Sequence, residues 1–259
     1  MKAKDIFQIL LQNASEIWTD TCDGWIAGDE NKEVHTIGTC FKLTAALIQK
    51  AMDQNIDMII THEPTFSTGD RREEAHGMDF KKWELLDDSN LTVYRFHDHA
   101  HNTEPDYIHA GFIEALDLKI NHKFERESLG VCRYELGEAL TTHQMALRIK
   151  ERLDIECVRV VGKDDYPLHT ICLGLGSVGQ AQIDLLFDPG CDLFITGEVG
   201  EVGVDEYIRD ACYFGENKSV LVLGHYSSEY AGMKRLAKKL DRTLTRTIFL
   251  ESGEVYHSI

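Results

Sequence analysis

The chain repeats itself, and the repeat restricts what it can fold into more than any single motif does. His35-Thr36-Ile37 recurs as His169-Thr170-Ile171, an offset of 134 residues. Ile48–Glu63 lines up with Ile183–Glu198 at an offset of 135, matching Asp57 with Asp192, Ile60 with Ile195, Thr61 with Thr196 and Glu63 with Glu198. Val93–His101 lines up with Leu221–Glu229 at an offset of 128, which pairs His97 with His225 and His101 with Glu229.

Each copy reads strand, helix, strand, helix, strand, then a loop and a helix. In the first copy, strands are expected at Val34–Cys40, Met58–Thr61 and Leu91–Phe96. A helix capped by Thr44 runs to about Asn55, and another lies near Asp79–Leu86. The second copy places strands at Thr170–Leu173, Leu193–Thr196 and Val220–Leu223, with helices at Gln180–Phe187, Val204–Cys212 and Ser228–Leu240. Apolar, β-branched runs alternating with helical patterns mean parallel strands covered by helices on both faces. The expected fold is therefore α/β, with internally duplicated αβ lobes, largely parallel sheets and a metal site between the lobes. The first lobe is set at residues 1–125 and the second at 126–259. Within the second, 126–168 is an inserted strand–helix–strand unit with its helix at Thr142–Leu153, and the C-terminal part packs back on the first lobe. An amphipathic helix opens the chain, with Ile6, Ile9, Leu10 and Ile17 near one face.

Three strands end abruptly in imidazole and carboxylate side chains: DMIITHE (57–63), VYRFHDHAH (93–101) and VLVLGHYSSE (220–229). Open α/β folds place their sites at the carboxyl edge of the sheet, where such residues are delivered. His62, Glu63, His101, His225 and Glu229 could supply three neutral imidazoles and two carboxylates. That donor set suits zinc, manganese, iron or nickel and suits calcium poorly. Two ions about 3.5–4 Å apart, sharing a carboxylate and a water, would use all five. A single His after a strand is commonly a surface or hydrogen-bonded residue, and an H-x-x-x-E at a helix start commonly complements the dipole. It is the concentration at repeat-related edges that favours a metal. Ser227 or Ser228 is the expected N-cap of the last helix. His76, His109, His122, His143 and His257 have no such setting and read as ordinary surface or core residues.

A net charge of −17, with no long basic run, argues against a nucleic-acid partner. Seven cysteines, odd in number and never spaced C-x-x-C, argue against a disulfide framework or a thiolate zinc knuckle. No apolar stretch is long enough to span a membrane. The N-terminus is too polar for a signal peptide, so a cytoplasmic protein is expected.

With these motifs in view, the chain resembles the Nif-three-like family of dinuclear-metal proteins, labelled GTP cyclohydrolase I type 2. The likeness runs from DGWIAGD (23–29) through DMIITHEP and DLFITGE to GHYSSEYAGMKRLAKKL (224–240), nearly the whole length. The resemblance implies metal ligands at His62, Glu63, His101, His225 and Glu229, two divalent ions, and a homohexameric toroid with its sites facing an inner cavity. Glu63 stands where the family has His, and His101 where it has Asp. The exchanges are opposite in sense, so the donor total is unchanged, while Asp98 or His97 stays open as a substitute for His101. Metal-assisted hydrolysis of a nucleotide or other small phosphorylated metabolite is the implied activity, with Glu63 and His97 moving protons. A metal-dependent binding or regulatory protein without turnover is the alternative.

Gly174-Leu-Gly176-Ser-Val-Gly179 fits G-x-G-x-x-G after a strand, with Glu198 near the place of a ribose-binding acid. Nucleotide binding through this loop is a third reading. The plainer one is that small residues let the loop turn tightly.

Overall fold

The computed structural model describes residues 1–179 and 190–257, and of residues 126 and 127 only the backbone. The helix expected at Gln180–Phe187 lies outside the described residues. The chain divides into two compact units, one formed by Met1–Tyr107 and Gly232–Gly253, the other by Ile108–Ala231 and the chain from Glu254 on.

The first unit holds a five-stranded sheet in the order β1-β4-β3-β2-β11. Its strands are β1 (Gly24–Ala27), β2 (Thr36–Cys40), β3 (Met58–Thr61), β4 (Thr92–Arg95) and β11 (Arg246–Phe249). All pairings are parallel except that of edge strand β1 with β4. Every residue of β2 and β3 is buried, as a strand covered on both faces requires. Complete burial of a side chain such as Ile59 contributes roughly 2–3 kcal/mol. The helix Ala45–Asp53 starts where Thr44 accepts the Leu47 N–H at 3.2 Å, and it buries Leu47, Ile48 and Ala51 against this sheet's core.

The second unit holds a six-stranded sheet in the order β5-β6-β8-β9-β10-β7. These are β5 (Ile120–Ser128), β6 (Val131–Thr141), β7 (Arg159–Gly162), β8 (Pro167–Gly174), β9 (Leu193–Thr196) and β10 (Ser219–Val222). The central β8-β9-β10 run is parallel, and the flanking pairings are antiparallel. The residue 125/126 division falls inside β5, whose pairing partner β6 belongs to the second unit.

The duplication is visible in the hydrogen bonds. Asp57 Oδ2 accepts the amides of His35 and Thr36 at 2.8 and 3.0 Å, and Asp192 Oδ2 accepts those of His169 and Thr170 at 2.8 and 2.9 Å. The Phe41 carbonyl accepts the amides of His62 and Glu63, and the Gly176 carbonyl accepts those of Gly197 and Glu198. The repeat also includes an edge strand, expected from the sequence only in its second copy, as the closing strand of the 126–168 unit. β1 lies against β4 as β7 lies against β10, each antiparallel, with a glycine of positive φ just after β1 (Gly28, +83°) and at the end of β7 (Gly162, +93°). A Cβ on Gly28 would meet the Leu91 carbonyl oxygen at 2.4 Å, and one on Gly162 would meet that of Lys218 at 2.3 Å. β7 and the helix Thr142–Leu153 thus correspond to β1 and the helix Ala3–Leu11, and the β5–β6 hairpin is the added piece.

Three expectations are corrected. Thr61 pairs with Arg95 and Thr196 with Val222, so the third strand repeats at 127 and not 128. By register His225 matches Asp98, one place beyond His97. The last helix begins at His225, not Ser228. Gly224, with φ of +95°, makes the turn into it, so Ser227 and Ser228 lie inside its first turn and do not cap it. Ile17 lies beyond the helix Ala3–Leu11 and is 64% exposed, because the chain has already turned away from the apolar face.

Candidate metal centre

In the first unit, β3 and β4 run parallel and in register, so the residues after them emerge side by side at one sheet edge. His62 is fully buried, and its Nδ1 hydrogen-bonds to the Phe96 carbonyl at 3.1 Å. A carbonyl only accepts, so Nδ1 carries the proton and the lone pair of the neutral ring sits on Nε2. His101, also buried, has its Nδ1 3.1 Å from Asp106 Oδ2. The His62 and His97 rings stack at 4.5 Å, and His101 stands edge-on to both at 5.2 and 5.3 Å. His62, His97 and His101 each offer a nitrogen within 4.8 Å of the others, and His62 and Glu63 offer atoms equally close.

Asp23 builds this loop from a distance. Its carboxylate accepts the amides of His97, Asp98 and His99 at 2.6, 2.8 and 3.0 Å, capping the short helix Asp98–His101. It also holds His99 Nδ1 at 2.8 Å, while His99 Nε2 accepts the Trp18 amide at 3.0 Å. The middle imidazole of HDHAH is therefore a structural residue. Asp98 turns to Thr21 Oγ1 and the Cys22 amide, at 2.7 and 2.9 Å.

His97 lies between two acids, with Nδ1 2.8 Å from Asp98 Oδ1 and Nε2 3.5 Å from Glu63 Oε1. Burial alone would pull its pKa down. Hydrogen bonds to Asp98, Cys22 and Glu63 together outweigh burial and hold it up to about 12. The bond from His97, against the opposing effect of burial, keeps the Asp98 carboxyl far below the usual carboxylate range.

In the second unit, His225 and Glu229 stand four residues apart on the helix His225–Thr243, hence on one face. His225 Nε2 is 3.3 Å from Glu229 Oε2, and its Nδ1 is 2.8 Å from Glu198 Oε1. Glu229 is 2% exposed. Gly176 makes room for the pair: a Cβ there would stand 2.5 Å from Glu229 Oε1 and 2.9 Å from His225 Nε2. Its amide donates to Ser228 Oγ at 2.9 Å. The second glycine of the Gly174–Gly179 loop is thus accounted for by close approach to these donors.

Each unit accordingly gathers its own share of the expected residues: His62, Glu63, His97 and His101 in one, His225 and Glu229 in the other. Sequence reading missed the orienting carboxylates Asp23, Asp106 and Glu198. Asp106, five residues beyond His101, and Glu198, the repeat partner of Glu63, carried a readable signal. Asp23 opens the DGWIAGD motif, but it acts on residues more than seventy positions away, and nothing local reports that contact. His109 is a core residue between the Tyr134 hydroxyl and the Gly130 carbonyl, each at 3.0 Å.

Two α/β units, each delivering imidazole and carboxylate groups to strand ends, define a protein with donors that could hold metal ions. The chain belongs to the Duf34/NIF3 (NGG1p interacting factor 3) family, whose sequence model matches residues 1–254. A relative from Clostridium acetobutylicum named GTP cyclohydrolase 1 type 2 homolog is 27% identical over 252 residues, covering 94% of this chain and 91% of its own. One of the same name from Haemophilus influenzae is 28% identical over 210 residues and 80% of each chain. The fold is shared with Staphylococcus aureus protein SA1388, at a TM-score of 0.78, 17% identity, and 100% and 99% coverage. No helix among the described residues is long and apolar enough to cross a membrane.

Proposed function

We propose that this protein is a dinuclear-metal-dependent hydrolase acting on a nucleotide or other small phosphorylated metabolite. His62, Glu63, His101, His225 and Glu229 would be the ligands. The observation that carries the reading is shared by the three ligand histidines. Each has Nδ1 bonded to an oxygen acceptor (Phe96 O, Asp106 or Glu198), which fixes the ring and leaves Nε2 as the coordinating nitrogen. Outer-shell support of this kind is the usual accompaniment of metal-ligating histidine. Three imidazoles and two carboxylates fit zinc, iron, manganese or nickel.

When bound, a pair of such ions supplies Lewis acidity and lowers the pKa of water toward neutrality. The chain's own residues do the rest. Glu63 would take a proton at its carboxylate, and His97, held in its protonated form between Asp98 and Glu63, would give its own Nε2 proton to a leaving group. The names of the relatives point to a purine nucleotide as substrate. We further propose the homohexamer implied by the family resemblance, to be checked by light scattering on the full chain.

The test is elemental analysis of protein isolated without chelators, beside His62→Ala and His225→Ala, together with product release from GTP and other phosphorylated metabolites. Two ions per chain, reduced in each variant, with turnover abolished by His225→Ala, is the expected result. Unchanged metal content in both variants would overturn it. The family description names an interacting factor, and full metal content without turnover would favour a metal-dependent binding or regulatory protein.

A further inference from the structure

We infer that Cys22, His97 and Asp98 form an additional site for a thiophilic divalent cation of the zinc type, separate from the five ligands above. Cys22 Sγ, a His97 ring nitrogen and an Asp98 carboxylate oxygen all lie within 4.8 Å of one another. The Cys22 thiol is 3.2 Å from Asp98 Oδ1, and the same oxygen is 2.8 Å from His97 Nδ1. Sγ also approaches Asp23 Oδ1 at 4.0 Å. A thiolate, an imidazole and a carboxylate make a borderline-soft donor set that selects zinc over magnesium or calcium, with a fourth position left to water.

The donors are held in place before any ion arrives. Thr21 Oγ1 and the Cys22 amide both donate to Asp98 Oδ2, which turns Oδ1 toward the thiol and the ring. Asp23 fixes the backbone at His97 and Asp98. Cys22 is exposed, so an ion can reach it from solvent. Binding releases the Cys22 thiol proton and the His97 Nδ1 proton to water, because a ligand atom must present a lone pair.

The consequence rests on the function proposed above. An ion on His97 Nδ1 displaces the proton there and breaks the His97–Asp98 bond, so the ring facing Glu63 through Nε2 is no longer the charged proton donor of that mechanism. The extra site is therefore inhibitory, and excess zinc shuts the enzyme down through side chains that are not among its resident ligands, although His101 follows Asp98 on the same short helix.

Cobalt(II) added to the protein as isolated, full length and with its resident metal, tests this. A near-ultraviolet thiolate-to-cobalt absorption should grow to saturation, disappear in Cys22→Ser and Cys22→Ala, and persist in Cys157→Ser, which removes another exposed thiol. Asp98→Asn should weaken cobalt binding by about tenfold or more. Absence of the band in the wild type, or its survival in both Cys22 variants, overturns the site. His225→Ala separates the two readings. It should lose resident metal and keep the cobalt band, so failure of the dinuclear proposal leaves this one standing, and the reverse.

Discussion

Behind their carboxyl edges the two halves of this chain are nearly the same object, and at those edges they are not. Asp57 and Asp192 tie off equivalent strands, and Thr61 and Thr196 each donate to a carbonyl two residues on, at 3.1 and 3.2 Å. At the edge, the first half carries its donors on a loop and a four-residue helix that Asp23 must clamp from outside. The second half carries them on the first turns of a 19-residue helix, which supplies its own rigidity and needs space instead. Gly176 provides that space where the first half has Phe41. A duplicated scaffold has kept the groups that satisfy its backbone and changed the groups that would meet a ligand.

The sharpest way to break this comparison is to exchange what differs. Gly176→Val should displace His225 and Glu229 and weaken metal binding about 100-fold or more, read as ions per chain after gel filtration. Phe41→Gly at the matching position should leave metal content intact. It should cost about 3–5 kcal/mol in urea unfolding, because a ring only 8% exposed is removed. Equal loss of metal in both variants would mean that the two loops play one role.

Next in size is Asp23→Ala, which strips the cap from three amides and whose matching position in the second half, 134 residues on as for Gly28 and Gly162, is Cys157. About 2–3 kcal/mol of stability should go, together with measurable loss of metal. A cost below about 1 kcal/mol would show the His97–His101 segment to be ordered without it. Asp57→Ala and Asp192→Ala probe what the halves share. Each should cost about 2 kcal/mol, and values differing by more than about 1 kcal/mol would deny their equivalence.

The smallest effect concerns a residue peculiar to the first half. Lys82 donates to the carbonyls of Leu43 and Thr65, and burial, aided by Lys42, lowers its pKa to about 8 from 10.5. The unfolded chain therefore binds more protons than the folded one between those values, so this group makes stability rise with pH across that window. Cys40, pushed by burial to about 12, acts in the opposite sense. The readout is accordingly the wild-type slope minus that of Lys82→Met, and it should be positive between pH 8 and 10.5.

Much of this was legible in the sequence because strand ends and repeat spacing are local properties. Met58–Thr61 and Leu193–Thr196 were found to the residue, since fully buried parallel strands read as unbroken apolar runs. β1 escaped notice because a short, incompletely buried edge strand shows no such run, and β7 was read as the closing strand of the 126–168 unit without its repeat relation to β1. The third offset was misplaced by one because matching histidine to histidine overrode strand register, which depends on pairing that the sequence does not display. The helix start at His225 was missed because Ser227 and Ser228 look like caps, whereas Gly224 makes the turn through its backbone. The clamp by Asp23 belongs to contact across sequence distance, and no periodicity reports that.

The pair Gly28 and Gly162 has a consequence for heredity as well as for shape. Each sits where a neighbouring backbone oxygen leaves no volume for even a methyl group, so neither site can drift. A saturation scan of the gene should show two columns of near-total intolerance standing 134 codons apart, a fossil of the duplication that outlasts the side chains around it.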